Sequence, residues 1–160
     1  MKEIIAEAGV SWHNLDEAVK HISMASEACC DAVKFQVYDD KVIDKAPKKW
    51  REHLKKIQID SMDAWYLMKY GEQADIEVFF TPMYTECIDW LEELQVKRYK
   101  VREKDNFNDE LLLRLHQTWK PVYISRNGWP FKQRNFHTIF VDKDRPTRFD
   151  VFAKEIYNLW

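Results

Sequence analysis

The sequence predicts an α/β fold in which βα units build a mostly parallel sheet. Short β-rich apolar runs alternate with helix-like segments along the chain, and the latter repeat apolar residues at three- and four-residue spacing. No linker, internal repeat or low-complexity stretch interrupts the alternation, so the 160 residues read as one domain, 1–160. Apolar residues make up 46% and charged residues 32%, a balance that excludes disorder and leaves enough apolar surface for a core without disulfides.

The first strand is expected over 2–9. Asn14 is a helix N-cap with Glu17 three residues on as a capping-box acid, and Val19, Ile22, Ala25 and Cys29 carry the helix to about Cys30. The second strand is Asp31 to Tyr38. Lys48 to Ile59 is amphipathic, with Trp50, Leu54 and Ile57 on one face. Asp60 or Ser61 caps a helix bearing Trp65, Met68 and Tyr70, which Gly71 or a neighbour ends. Ile76 to Thr81 is the third strand, stopped by Pro82. A short helix with Cys87, Trp90, Leu91 and Leu94 leads to the fourth strand, Arg98 to Arg102. Asn108 caps the helix Asp109 to Gln117, and Pro121 to Ser125 is the fifth strand. Arg126 to Phe136, with Gly128 and Pro130, reads as a loop. His137 to Val141 is the sixth strand, and a last helix capped by Thr147 runs to Trp160. Six strands in this order fit either an open doubly wound sheet or most of a barrel.

Composition removes several functions. Lys+Arg is 25 and Asp+Glu is 27, so the positive excess that drives non-specific nucleic-acid binding is missing. No apolar run approaches the roughly 18 residues of a membrane span. Three glycines cannot supply a glycine-rich dinucleotide fingerprint. The early acids Glu3 and Glu7 interrupt what a signal peptide needs, and three cysteines, two of them adjacent, read as reduced thiols; a cytoplasmic protein is expected.

Parallel α/β sheets bind ligands at the C-terminal ends of their strands. Those ends carry Glu7, Lys34 and Gln36, Thr81, then Arg98, Lys100 and Arg102, then Ser125 and Arg126. Central parallel strands are usually apolar throughout. A lysine inside one must find an anion, because burying an unpaired ammonium costs several kcal/mol. Lys34 therefore pairs with Glu7, or Lys34, Thr81, Lys100 and Ser125 hold a phosphate or carboxylate, or both. Of the histidines, His13 is a possible ligand contact beside the first strand. His21, His53 and His116 are expected on solvated helix faces, and His137 lacks the partner spacing of a metal site. The tryptophans are expected in the core or an interface.

Five segments resemble the N-acetylneuraminate (sialic acid) synthase family, in the family's order: IIAEAGVSWHN, DAVKFQ, FFTPMYTECIDWLEEL, YKV and WKPVYIS. The resemblance implies a TIM-type (β/α) barrel, here truncated, since an eight-stranded one takes about 250 residues. It also implies a transferase that condenses phosphoenolpyruvate with an N-acetylhexosamine-type sugar, with a divalent metal (Mn or Mg). Lys34, Thr81, Lys100 and Ser125 would be the phosphoenolpyruvate ligands; Glu7 and Gln36 would be catalytic, facing the sugar and its carbonyl.

The chain also departs from the family pattern. The small Ser-Gly after the fourth strand is replaced by Arg102-Glu103-Lys104, and the Thr-Gly-Met after Ser125 is lost. Aligning on Arg145-Pro146 puts Phe140-Val141 where the family has a metal-binding His-Cys pair. The family's second metal histidine and its C-terminal antifreeze-like domain have no counterpart. Two expectations follow: an enzyme of this type, or a degenerate barrel that keeps an anion pocket as a binding or assembly protein. Unpaired strand edges add the expectation of a homo-oligomer or a barrel-completing partner.

Overall fold

A computed structural model describes residues 3–126 and 138–142. Its strands are β1 (Ile5–Gly9), β2 (Ala32–Val37), β3 (Glu77–Pro82), β4 (Tyr99–Val101), β5 (Val122–Arg126) and β6 (Thr138–Asp142). Its helices are α1 (Leu15–Glu27), α2 (Asp40–Asp44), α3 (Lys48–Lys56), α4 (Ser61–Gln73), α5 (Cys87–Glu93) and α6 (Asp109–Gln117). Arg126, expected to open a loop to Phe136, belongs to β5; the rest of that loop, His137 and the expected last helix lie outside the described residues.

All five strand pairs are parallel and the order is β1-β2-β3-β4-β5-β6. This order settles the choice between architectures. A doubly wound sheet reverses its order at a switch point, whereas each strand here lies beside the next in sequence, as in the wall of a (β/α) barrel. Among the described residues β1 and β6 are the two edges.

The register separates the two faces of this wall. Val33, Phe35, Val37, Val78, Phe80, Tyr99, Val101 and Ile124 form one face and are buried in the main core with Ile22, Leu67, Ile88, Leu91 and Leu111 of the helices. Glu7, Lys34, Gln36, Phe79, Thr81, Lys100, Tyr123 and Ser125 alternate with them and share the inner face.

Local chemistry explains most boundaries. Asn14 and Asn108 accept from the backbone N–H three residues on, at 3.0 and 3.2 Å, and fix the starts of α1 and α6. The Glu17 carboxylate takes the N–H of His13 at 2.8 Å rather than that of the cap residue, so the expected capping box is only half formed. The full box is at α4, between Asp60 and Asp63. Helix α1 stops at Glu27, short of Cys30, because Cys29 turns to φ 57° and the Cys30 N–H bonds back to Ala25 O at 2.9 Å. Asp75 and Gln95 end α4 and α5 in the same way, with φ of 53° and 60°.

Several expectations are corrected. For the helix end expected at Gly71 or a neighbour, it is the neighbour Gln73 that ends α4, and Gly71 lies within it. A Cβ there would stand 2.5 Å from Val78 Cγ2 and 2.8 Å from Ile76 O, so glycine lets the helix approach β3. The buried face of α4 is Ala64, Leu67 and Gly71, while Trp65 is 45% exposed. Of the expected apolar face of α3, Ile57 just past its end is buried and Leu54 packs against the core, but Trp50 is 47% exposed. Helix α2 was not expected; its start is fixed by Asp39, which accepts from Val42 N at 2.9 Å. Among the described residues no helix is long and apolar enough to cross a membrane.

Candidate anion-binding site

The strands present their inner-face side chains to a cavity of about 350 Å³. Its walls are Glu7, Lys34, Gln36, Lys100 and Ser125 from four strands, with Arg102, Glu103 and Lys104 from the segment after β4. Pairing sets this convergence. Glu7 lies beside Lys34, Gln36 beside Thr81 and Lys100 beside Tyr123 in parallel register, so neighbours point the same way. Near its end β1 shifts register between Glu7 and Gly9, and Gly9 takes φ 56°, a left-handed value that glycine adopts freely.

Lys34 is 3% and Lys100 is 5% exposed, so the cavity exposes little more than the tips of both lysines. The Lys34 ammonium forms an ion pair with Glu7. In a site shielded from water such charges interact far more strongly than at a surface. Thr81 faces the same way as Gln36 but is fully buried, and its hydroxyl has no hydrogen-bond partner. Of the six residues given site roles from sequence, five border the cavity and Thr81 does not.

The rim is formed by Arg102, already among the strand-end residues expected from sequence, with Glu103 and Lys104. Arg102 donates to Asp105 with Nη2 at 2.9 Å, in a 3-10 turn at Glu103–Asp105. Asn106 Nδ2 donates to Ser125 O at 2.8 Å and ties this turn to the end of β5. The signal was present in the run Arg102-Glu103-Lys104, three charged residues directly after a strand end. Arg98, expected beside Lys100, shares its face but sits at the opposite end of the strands. There its guanidinium pairs with Glu3 and Glu77 and lies over the Phe79 ring at 4.7 Å. Burial alone lowers the Arg98 pKa, but the Glu3 hydrogen bond and the charge of Glu77 more than offset it, and the net direction is upward.

His21 and His53, expected on solvated faces, are part-buried and hydrogen-bonded, while His13 is bonded but exposed. His13 Nδ1 meets Glu17 at 2.9 Å, His53 Nε2 meets Val10 O at 2.8 Å, and His21 lies between Ser11 and the Glu17 carbonyl. Trp12 is buried, but Trp50, Trp65 and Trp119 are exposed.

A divalent metal does not fit the described donor set. Among the described residues no three His, Cys, Asp or Glu side chains cluster as ligands. The cavity's two acids, Glu7 and Glu103, stand among Lys34, Lys100, Arg102 and Lys104, and Glu7 is engaged by an ammonium. Four cations against two acids suit an anion.

A sequence model of the NeuB family matches residues 21–129. An N,N'-diacetyllegionaminic acid synthase of Legionella pneumophila is 31% identical over 76% of this chain and 38% of its own length. The Campylobacter jejuni enzyme of that name is 29% identical, over 76% and 41%. The chain thus spans about two-fifths of the length of these curated relatives. In fold it is similar to a sialic acid synthetase of Leptospira borgpetersenii solved with citrate, with TM-score 0.77 and 24% identity over 87% of this chain and 53% of that one.

Proposed function

The chain belongs to the NeuB family, and on that premise we propose that its cavity binds phosphoenolpyruvate or a closely similar small anion, as part of a synthase of the sialic or legionaminic acid type. One observation carries the reading: two lysines, each at least 95% buried, share one cavity at the C-terminal ends of parallel strands.

The chemistry assigns each group a task. Lys34 and Lys100 offset the phosphate and carboxylate charges, and the Ser125 hydroxyl adds a directional donor. The unpartnered Thr81 hydroxyl, beside Gln36 in register, is a further donor on the same face. Glu7 and Gln36 face the second reactant, an N-acetylhexosamine-type sugar whose carbonyl carbon is attacked by the enol carbon. As the phosphoenol becomes a keto acid, cations already in place stabilise charge without reorganising. Glu7 holds the Lys34 ammonium in position for that role. No step is assigned to a metal, because the described donors do not fit one.

A second reading is an anion-binding protein without catalysis. It is favoured by the rim, where Arg102, Glu103 and Lys104 occupy the mouth on which a sugar would have to land.

Crystals soaked in phosphoenolpyruvate test the shared claim. The anion is expected in contact with Lys34 and Lys100. Density elsewhere, or none at saturating ligand, contradicts it. Incubation with phosphoenolpyruvate and N-acetylmannosamine then separates the readings, since only the enzyme releases inorganic phosphate.

A further inference from the structure

A second cavity lies at the opposite end of the sheet from the anion site. It is a groove of about 580 Å³ where α4 and α5 finish and β3 begins. Met68, Ile76, Val78 and Leu94 give it an apolar floor, and Trp65 stands at its edge. Its charge is acidic: Glu72, Asp75, Glu77 and Glu93 face two lysines. Lys69 is held by Glu72 at 2.7 Å and Glu77 is held by Arg98, which leaves Asp75 and Glu93 against Lys97. Both helices end here without a basic residue in the last turn, so their negative dipole ends add to the field. An apolar floor, an aromatic edge and a negative field together fit an aromatic residue flanked by cations.

The same chain carries such a group at its other end. Helix α3, KKWREHLKK, rests only its Leu54 side against the core, and five of its nine residues are Lys or Arg against one Glu. Trp50 is 47% exposed with the Lys49 ammonium 5.7 Å from its ring centroid, beside exposed Lys48. Helix α3 follows the C-terminal end of β2, whereas the groove lies at the N-terminal end of β3. One chain therefore does not bring its own α3 to its own groove, but a second copy can. We propose that copies of this chain associate head to tail, with the Lys48-Lys49-Trp50 edge of α3 on one copy seated in the α4/α5 groove of the next. The contact is heterologous, so it propagates into a ring or a filament rather than closing as a two-fold dimer. Its charge component weakens as salt rises.

A mixing experiment tests this. The first variant, Lys48→Gln/Lys49→Gln/Trp50→Ala, blocks the helix and keeps the groove. The second, Trp65→Ala/Asp75→Asn/Glu93→Gln, blocks the groove and keeps the helix. All six side chains are exposed, and asparagine tolerates the left-handed backbone at Asp75. Circular dichroism checks that both variants fold. In light scattering coupled to size exclusion at 100 mM salt, the unmodified chain is expected to exceed two copies, and each variant alone to run at 19.4 kDa. An equimolar mixture retains one intact contact and is expected to stop at a two-chain complex, reduced at 500 mM salt. A monomeric unmodified chain, a variant that still associates alone, or a mixture that stays monomeric overturns the proposal. Phosphoenolpyruvate binding measured on the groove variant depends on the end of the sheet opposite the groove, so its failure is read separately.

Discussion

Glu7 and Lys34 stand side by side on neighbouring parallel strands, and their ion pair places a charged couple on a wall whose other face is built mainly from apolar residues. The pair is the electrostatic anchor of the cavity. Removing one member of a buried pair leaves the other charge uncompensated, which typically costs about 3–5 kcal/mol, while replacing both by apolar residues is often close to neutral. Glu7→Ala is accordingly expected to lower the free energy of urea unfolding by about 3 kcal/mol or more. The double variant Glu7→Leu/Lys34→Met recovers most of that loss and binds no anion.

Gly71 makes a packing prediction. Gly71→Ala drives a methyl into Val78 and into a backbone carbonyl that cannot retreat as a side chain can. A loss of about 1–3 kcal/mol is expected, the range for overpacking a well-filled core. Adding Val78→Ala recovers only part of it, because the 2.8 Å approach to Ile76 O remains. Chemical unfolding of the two variants checks both statements.

How much of this was legible in the sequence varies with the range of the physics involved. Helix α6 and its cap Asn108 follow from local hydrogen bonding and match the structure residue for residue. The inner-face lysines were legible because strand alternation is local and a buried ammonium is conspicuous. The winding of the sheet was not, since periodicity carries no information about which strands become neighbours. Gly71 looked like a helix end because its reason for being glycine, contact with Val78, lies across a turn. Arg98 was grouped with Lys100 by alternation, which gives the face but not the depth. The outward-facing Trp50 and Trp65 show that an aromatic at helical spacing need not be core.

Helix ends yield a stabilising substitution. Gln95 follows α5 at φ 60°, a conformation that strains a residue with a Cβ. Gln95→Gly is expected to raise stability by about 1 kcal/mol, an increase in melting temperature of a few degrees for a chain of this size. Differential scanning calorimetry measures it.

The Cys87 thiol governs an alkaline limit. Burial pushes its pKa from 9.0 up to about 12. The folded state thus keeps a proton that the unfolded chain releases. This contribution to stability is intact below pH 9 and is lost as pH rises from 9 towards 12. Cys87→Ala is expected to flatten that decline in thermal melts, at the cost of a small cavity. At pH 8 a thiol reagent should label exposed Cys29 rapidly and leave buried Cys30 and Cys87 protected until the protein unfolds.

The central claim is that Lys34 and Lys100 together create the anion site, and titration calorimetry of phosphoenolpyruvate tests it most directly. Each charge-assisted hydrogen bond contributes about 1.5–3 kcal/mol. Lys100→Met is therefore expected to weaken phosphoenolpyruvate binding by about tenfold or more, and Lys34→Met/Lys100→Met to abolish it. Exposed Lys97→Met, at the other end of the sheet, should leave it unchanged. Equal affinity in the unmodified protein and in folded Lys34→Met/Lys100→Met would contradict the account.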